Sequence, residues 1–431
     1  VMPLTAAIEG TDIIKVNGTT VQADNSATAI AKATVRLTTG GYTRVMSLQY
    51  LPNVLTGEGT QQNPYLVASA ADFLKIADYM QRGSTAFRNK YFRQTADIDF
   101  AGVTFAMAGT DGNFFAGNYD GQGHSISNVT TTAAATTENV STGLFGGVAQ
   151  GGTVSNLVLK GFNMQSNFDG GLLAGTVSGN VNNVTTDATC KIEGVKSTVL
   201  FTDAKGENIG GICGSVTASG RIENCVNNAS VTGYKYVGGI TGNTDYVGTA
   251  YIGQCSNYGS VLAMAPKETQ PPVGGEQPTT KTVDAFAGGI AGQFAGTINK
   301  CVNYGSVLSD PCKVAGGIVG QLYIRAKVED CENRGEVRSR DYVAGGIVGQ
   351  SGVGSPNSRS FIVNCRNYTP VKAINQLGGI VGFLKAYNTV QNSANFADLN
   401  PSGQWCGGIA GQVTATVSGY EAYARIEDCY N

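Results

Sequence analysis

Gly316-Gly317-Ile318-Val319-Gly320, then Val328-Glu329-Asp330-Cys331-Glu332-Asn333-Arg334-Gly335-Glu336-Val337, then Gly345-Gly346-Ile347-Val348-Gly349 is the stretch that decides the fold. It holds one complete repeat and the start of the next. The Gly-Gly-Ile-x-Gly phrase stands at Gly210 to Gly214, Gly238 to Gly242, Gly288 to Gly292, Gly316 to Gly320, Gly345 to Gly349, Gly378 to Gly382 and Gly407 to Gly411. Weaker copies are Gly143 to Gly146 and Gly171 to Gly175. A second phrase, Ile/Val-x-x-Cys-x-Asn-x-Gly-x-Val, follows each strong copy on Cys225, Cys255, Cys301, Cys331 and Cys365. Ser393 substitutes once, and Cys429 opens a last copy.

Gly211 to Gly239 and Gly289 to Gly317 are each 28 residues apart, and Gly317 to Gly346 is 29. A period of this length is that of a solenoid. Each unit contains short β-branched runs broken by Gly, Asn and Asp, and none keeps a 3.6-residue apolar period long enough for a helix. The expected fold is all-β, a parallel β-helix in which equivalent residues of successive coils stack about 4.8 Å apart. Inward positions fall to the Ile of Gly-Gly-Ile and to the Ile or Val three residues before Cys. Asn227, Asn257, Asn303, Asn333 and Asn367, continued by Asn395 and Asn431, are expected to form an asparagine ladder along one corner, because Asn tolerates left-handed backbone and bonds its own turn.

Composition agrees with this reading. Glycine supplies 60 of 431 residues, about twice the usual ~7%. Net charge is −2, which leaves no electrostatic footprint for nucleic acid. The chain has one histidine, His124; a Ser-His-Asp triad needs its histidine beside a nucleophile and a His-Glu-x-x-His zinc site needs two, and neither pattern is read here. No apolar run of about 18 residues exists, so no membrane insertion is expected. Val1 does not open a signal peptide, and the chain reads as a mature or trimmed fragment.

Cys225, Cys255, Cys301, Cys331, Cys365 and Cys429 share one column. They are expected to be buried free thiols, since neighbours at the ~4.8 Å strand spacing exceed the ~3.8 Å that a relaxed disulfide prefers between Cβ atoms. No Cys-x-x-Cys pair offers zinc spacing. The pairing of Cys190, Cys213, Cys312 and Cys406 stays open.

Ahead of the repeats, residues 1–53 suggest a small antiparallel β module of two hairpins, Ile13 to Val16 with Thr19 to Ala23 and Ala29 to Leu37 with Tyr42 to Leu51, turning at Asn17-Gly18 and Gly40-Gly41. Residues 54–100 form a capping segment with one amphipathic helix from about Ala70 to Gln81. Ser69 and Asp72 make its N-cap, Phe73, Leu74, Ala77 and Met80 its apolar face, and Gly83 its stop. It is expected to cap the solenoid just ahead of the first coil. Residues 101–431 are the β-helix, read as truncated at its C-terminus.

At this point the order of phrases resembles a known family. Gly57 to Val67 (GEGTQQNPYLV), the capped helix, Tyr91 to Gly102 (YFRQTADIDFAG), Phe115 to Val129 (FAGNYDGQGHSISNV), the GLFG at Gly143 and the Gly-Gly-Ile coils are similar to GLUG-repeat proteins of bacterial surfaces. The same repeats occur in the non-catalytic part of proteins called immunoglobulin A1 proteases of the zinc metallopeptidase type. The resemblance covers residues 57–431. It implies a right-handed β-helix on an exported surface protein with an adhesive role. It carries over no catalytic residue, because the His-Glu-x-x-His motif is absent.

Two candidate sites follow. Asp97 and Asp99 share a strand face, with Asp111, Asp120 and His124 beyond them; the pair suits calcium or acid/base work, whereas Asp111-Gly112 and Asp120-Gly121 are equally turn formers. Three residues after each column Cys stand Asn228, Tyr258, Tyr304, Arg334, Tyr368 and Phe396. Stacked on adjacent coils, these make an aromatic strip with one guanidinium, suited to sugar rings or an extended peptide, or to stacking on itself. An insertion from Leu262 to Ala285 carries Pro266, Pro271, Pro272 and Pro278 and is expected to be a loop without secondary structure; lesser loops are Lys196 to Glu207 and Ser351 to Ser360.

The expected function is an extracellular or cell-surface adhesion or binding module that presents a rigid face to glycans or a host glycoprotein, with no cofactor beyond a calcium ion at Asp97 and Asp99. The alternatives are a β-helical polysaccharide lyase or glycosidase, which needs only Asp, Lys and Arg, and the accessory region of an immunoglobulin A1 protease-like protein.

Overall fold

The computed structural model describes residues 5–9, 14–17, 20–23, 31–39, 41–50, 55–83, 85–132, 140–195, 208–244, 248–264, 267–270, 279–282, 284–310, 313–352, 355–401, 404–414, 416–417, 420–421 and 423–431. Cys312 and the loop 196–207 lie outside them. The chain divides into two compact units, Val1–Glu58 and Gly59–Asn431.

The first unit contains the two expected hairpins and one strand more. Ala31–Thr39 pairs antiparallel with Tyr42–Tyr50, turning through Gly41 at φ +83°. Ile14–Asn17 pairs with Thr20–Ala23, with Asn17 facing Thr20, a register one position later than an Asn17-Gly18 turn implies. The strand Thr5–Glu9 adds to the other edge of Ala31–Thr39, with Arg36 Nε 3.2 Å from Glu9 Oε1 across the pair. Its TAAIE sequence has too little alternation to mark it as a strand.

The second unit is a parallel β-helix. One coil runs through Arg221–Glu223, Val226–Asn227, Ser230–Gly233, Tyr236–Gly238 and Thr241–Thr244. Each strand pairs in parallel with its counterpart in the next coil. The first two strand positions build one sheet of 20 strands, and the others build sheets of 8, 8 and 9. The weak glycine copies belong to the same register, since Phe145 pairs with Ala174 and Ala174 with Cys213. As expected, Ile212, Ile240, Ile290, Ile318, Ile347 and Ile380 are fully buried, and so are Ile252, Ile298 and Val328 of the pre-cysteine column.

The glycines serve close approach rather than handedness. At Gly317 a Cβ would lie 2.0 Å from the Gly346 carbonyl oxygen and 2.4 Å from Asn333 Cγ. The second glycine of each Gly-Gly pair thus presses on the asparagine ladder across the core, and the two repeat phrases are two sides of one contact. The ladder is present, but its conformational reason differs from the expected one. Asn227, Asn257 and their successors as far as Asn395 are buried in extended strands; the left-handed residue is the one before each cysteine or Ser393, at Asn224, Gln254, Lys300, Asp330, Asn364, Asn392 and Asp428, with φ between 50° and 55°. That tight bend turns the chain from the first strand to the second.

Length variation is confined to particular corners. Between the third and fourth strands a coil spends only residues 234–235 or 374–375, yet elsewhere the same corner holds residues 195–207 or 264–285. The longer insertion is not structureless: Lys267–Gln270 pairs antiparallel with Thr279–Thr282, a threonine-rich hairpin whose prolines lie outside the described residues. The stack continues undisturbed on both sides, Val261 pairing with Val307 and Phe286 with Val314.

The helix occupies Ala70–Gln81. Ser69 Oγ accepts from the Asp72 N–H at 3.2 Å, Asp72 Oδ2 accepts from Ser69 Oγ at 2.9 Å, and Gly83 follows at φ +73°. It lies within the first coil rather than ahead of it, because Tyr65–Val67, which precedes the helix, already pairs in parallel with Tyr91–Gln94. Phe73, fully buried, meets Phe100, Tyr119 and Phe145 at ring distances of 6.0, 6.4 and 5.7 Å. Leu74 is only half-buried, whereas Ile76 and Tyr79 are buried. The reason is a second contact: Tyr79 packs edge-on against Phe87 of the return segment at 5.1 Å.

Candidate functional site

The second strand of each coil positions the strip. Asn227, Asn257, Asn303, Asn333, Asn367 and Asn395 point inward and pass a hydrogen bond from Nδ2 to the next Oδ1 at 2.8 to 2.9 Å, reaching Asn431 at the last step. Thr186 Oγ1 closes the first end on Asn227 Oδ1 at 2.8 Å. Each Nδ2 also holds the carbonyl two residues on, as Asn303 does that of Gly305 at 2.9 Å. This fixes the turn, and the residue after each Asn emerges at the same place. Its N–H donates to the preceding coil's Asn carbonyl: Tyr258 to Asn227 at 2.7 Å, Tyr304 to Asn257 at 2.7 Å, Arg334 to Asn303 at 2.7 Å, Tyr368 to Asn333 at 2.9 Å and Phe396 to Asn367 at 2.8 Å.

Side chains held at this spacing stack. Tyr258 and Tyr304 lie face to face, 4.5 Å apart at 3°; the Arg334 guanidinium covers Tyr368 at 4.3 Å; Tyr368 and Phe396 stack at 5.2 Å and 14°. The surface stays open, with Tyr258 51%, Tyr304 42% and Phe396 53% exposed. Arg334 is oriented by Glu332, its Nε 2.9 Å from Oε2. Asn228, at the head of the column, instead turns its Nδ2 onto the Thr186 carbonyl at 2.7 Å. Tyr430 extends the stack, 6.1 Å from Phe396. The rule of three residues after Cys missed it, because Tyr430 directly follows Cys429 and reaches Phe396 diagonally.

The acidic candidates are engaged with neighbouring turns. Asp97 Oδ1 accepts the Ser125 N–H at 2.7 Å, and that bond above all holds its carboxyl below the usual range; His124 Nδ1 is 3.6 Å away. Asp99 Oδ1 accepts from Asn128 Nδ2 at 2.7 Å, the main cause of its lowered pKa, and from the Ala101 N–H at 2.9 Å. Asp120 Oδ1 accepts from Asn156 Nδ2 at 2.9 Å and from the Gln122 N–H of its own turn at 3.0 Å. Among the described residues no three His, Cys, Asp or Glu side chains gather as a metal site.

The column cysteines are free thiols, and five of them are buried. The N–H groups of Cys225, Cys255 and Cys301 each donate to the Sγ of the next cysteine at 3.4 Å, and each of these thiols donates to the carbonyl two residues back, as Cys225 does to Glu223 at 3.2 Å. Burial pushes the thiols of Cys225, Cys255, Cys301 and Cys331 well up, and Cys213 up to about 12. Since only the thiolate reacts, iodoacetamide is expected to label Cys406, which is exposed, and to leave Cys255, Cys301 and Cys331 unmodified until denaturant is added. Peptide mass spectrometry reads this, and labelling of Cys301 in the folded chain would contradict the buried ladder.

These features define a parallel β-helix with an internal asparagine ladder and an open aromatic strip. No family model matches the chain, so its likeness to GLUG-repeat proteins rests on the motifs. Over 183 residues, 39% of the chain, it is 36% identical to halomucin of Haloquadratum walsbyi. Over 105 residues, 24% of the chain, it is 32% identical to a "Putative Gly-rich membrane protein" of Evansella cellulosilytica. The matches span 2% and 12% of those two proteins. A crystal structure of a "putative immunoglobulin A1 protease" from Bacteroides ovatus aligns over 87% of this chain and 86% of that one, at 18% identity and a TM-score of 0.47. No helix among the described residues is long and apolar enough to cross a membrane.

Proposed function

We propose that the chain is a surface-displayed binding module that holds glycans against the strip Tyr258, Tyr304, Arg334, Tyr368 and Phe396 without cleaving them. The observation that carries this reading is the strip itself: exposed aromatic side chains at a fixed repeat, stacked on one another and held by a fully hydrogen-bonded ladder. Preorganised aromatic surface loses little conformational entropy on binding. The stretches shared with halomucin and with a Gly-rich membrane protein support a place at the cell surface.

The test is retention of the purified chain on bacterial and host polysaccharides, mucin and immunoglobulin A, with soluble products scored in the same wells, with and without EDTA. Saturable retention without products is expected. A Tyr258→Ala, Tyr304→Ala, Tyr368→Ala variant is expected to lose about tenfold or more in affinity, roughly 1.4 kcal/mol, while still unfolding cooperatively. Equal retention by that variant would leave the strip as self-stacking alone, and released products would replace binding with catalysis.

A further inference from the structure

A recess lies on the outer face of the 20-stranded sheet, on residues other than those of the strip. Arg359, Phe361, Tyr387, Thr389, Tyr423 and Arg425 line about 230 Å3 of space. They form three successive rows: Phe361 pairs with Thr389 and Thr389 with Arg425, while the Tyr387 N–H donates to the Tyr423 carbonyl at 3.2 Å. Arg359 and Phe361 thus make the first row, Tyr387 and Thr389 the second, Tyr423 and Arg425 the third. The guanidiniums stand at opposite corners, on coils about 10 Å apart, with the aromatic rings between them.

The electrostatics of this recess are unbalanced. Two cations share it and no carboxylate lines it. Among the described residues Arg359 makes no ion pair, and Arg425 has only Glu427 at 3.7 Å, both exposed. The acid of the row below, Glu329, is held by Lys327 at 2.8 Å, and the neighbouring Arg325 spends its Nε on the Asn357 carbonyl at 3.0 Å. Thr389 is nearly buried, and its hydroxyl makes no protein hydrogen bond among the described residues. Tyr387 sits in a turn at φ +66°, a conformation that is costly for a bulky residue. Phe361 and Tyr423 stay 40% and 61% exposed.

Guanidinium forks match carboxylate and sulfate oxygens in pairs, and ring faces suit the apolar side of a pyranose. We infer that this recess is a binding site for an anionic saccharide, one bearing uronate carboxylates or sulfate esters, with Arg359 and Arg425 on two acidic groups and Tyr387 and Tyr423 against the sugar between them. A single-stranded nucleic acid shares part of this chemistry but needs a long basic track, and here only two arginines line the recess of a chain whose net charge is −2.

Calorimetric titration of the full chain tests the assignment, using a galacturonate hexamer, a sulfated hexasaccharide, a neutral glucose hexamer and oligothymidylate as probes, at low and high salt. Saturable binding of an acidic hexasaccharide that weakens with salt is expected, with the uronate and sulfate arms identifying the acidic group. Arg359→Ala and Arg425→Ala should each lower affinity about tenfold, and Tyr423→Ala should lower it several-fold; all three side chains are exposed. The strip variant with Tyr258, Tyr304 and Tyr368 changed to Ala should bind these probes as the parent does, so either site can fail without the other. The inference is overturned if neither acidic hexasaccharide binds the strip variant, if the glucose hexamer binds that variant equally well, if both arginine changes are silent in it, or if oligothymidylate binds more tightly through the same arginines.

Discussion

Gly317→Ala should destabilise the solenoid by about 3 kcal/mol or more, well beyond an ordinary surface change. The added methyl would meet the Gly346 carbonyl oxygen at 2.0 Å and Asn333 Cγ at 2.4 Å. The first of these is backbone of the next coil, so no rotamer change relieves it. Asn333→Ala attacks the same contact from the other side. It removes the bonds to Asn303 and Asn367 at 2.9 Å each, leaving one Asn303 Nδ2 hydrogen and the Asn367 Oδ1 acceptor without those partners, at about 1–3 kcal/mol for each orphaned group. Combining the two changes should not restore stability, because the Gly346 carbonyl remains in the way. Urea unfolding gives the magnitude, and hydrogen exchange should place the loss in the coils around residues 289–350. A Gly317→Ala chain that melts like the parent would disprove the close approach.

Phe73→Ala should cost about 3–5 kcal/mol, the usual range for emptying a buried phenylalanine site. Its ring meets Phe100, Tyr119 and Phe145 together. Without it the first coils lose their cover, and unpaired strands at a sheet edge promote association between chains. The loss should be local, because in a solenoid each coil contacts mainly its neighbours. Hydrogen exchange should therefore rise across residues 65–148 and stay unchanged beyond residue 289. Uniform loss of protection along the whole chain would show instead that the coils unfold as one unit.

Much of this architecture is legible in the sequence, because a solenoid writes the same physical demand once per coil. The period gave the parallel stacking, Ser69 with Asp72 and Gly83 gave the helix and its limits, and counting three residues from the cysteine reached Tyr258, Tyr304, Arg334, Tyr368 and Phe396. What stayed hidden involves residues with no common chemistry. The left-handed bend is filled by Asn, Gln, Lys and Asp in turn, so only the backbone repeats there. The contact of Gly317 with Asn333 joins two phrases that sequence reading treats separately. The recess of Arg359, Tyr387 and Arg425 was hidden for a third reason: its residues lie across corners of unequal length, where counting from one coil to the next loses its place.

The corner that accepts either residues 234–235 or the whole of 264–285 without a change in strand register has a practical meaning. It acts as a natural docking port for added polypeptide, a place where new segments can be spliced in while the cysteine and asparagine side of every coil keeps its fixed length. A lineage can therefore vary what it displays at that rim without re-optimising the interior. For the same reason, a foreign loop or small domain engineered between Ala373 and Gln376 would be carried by a scaffold whose core does not register the graft.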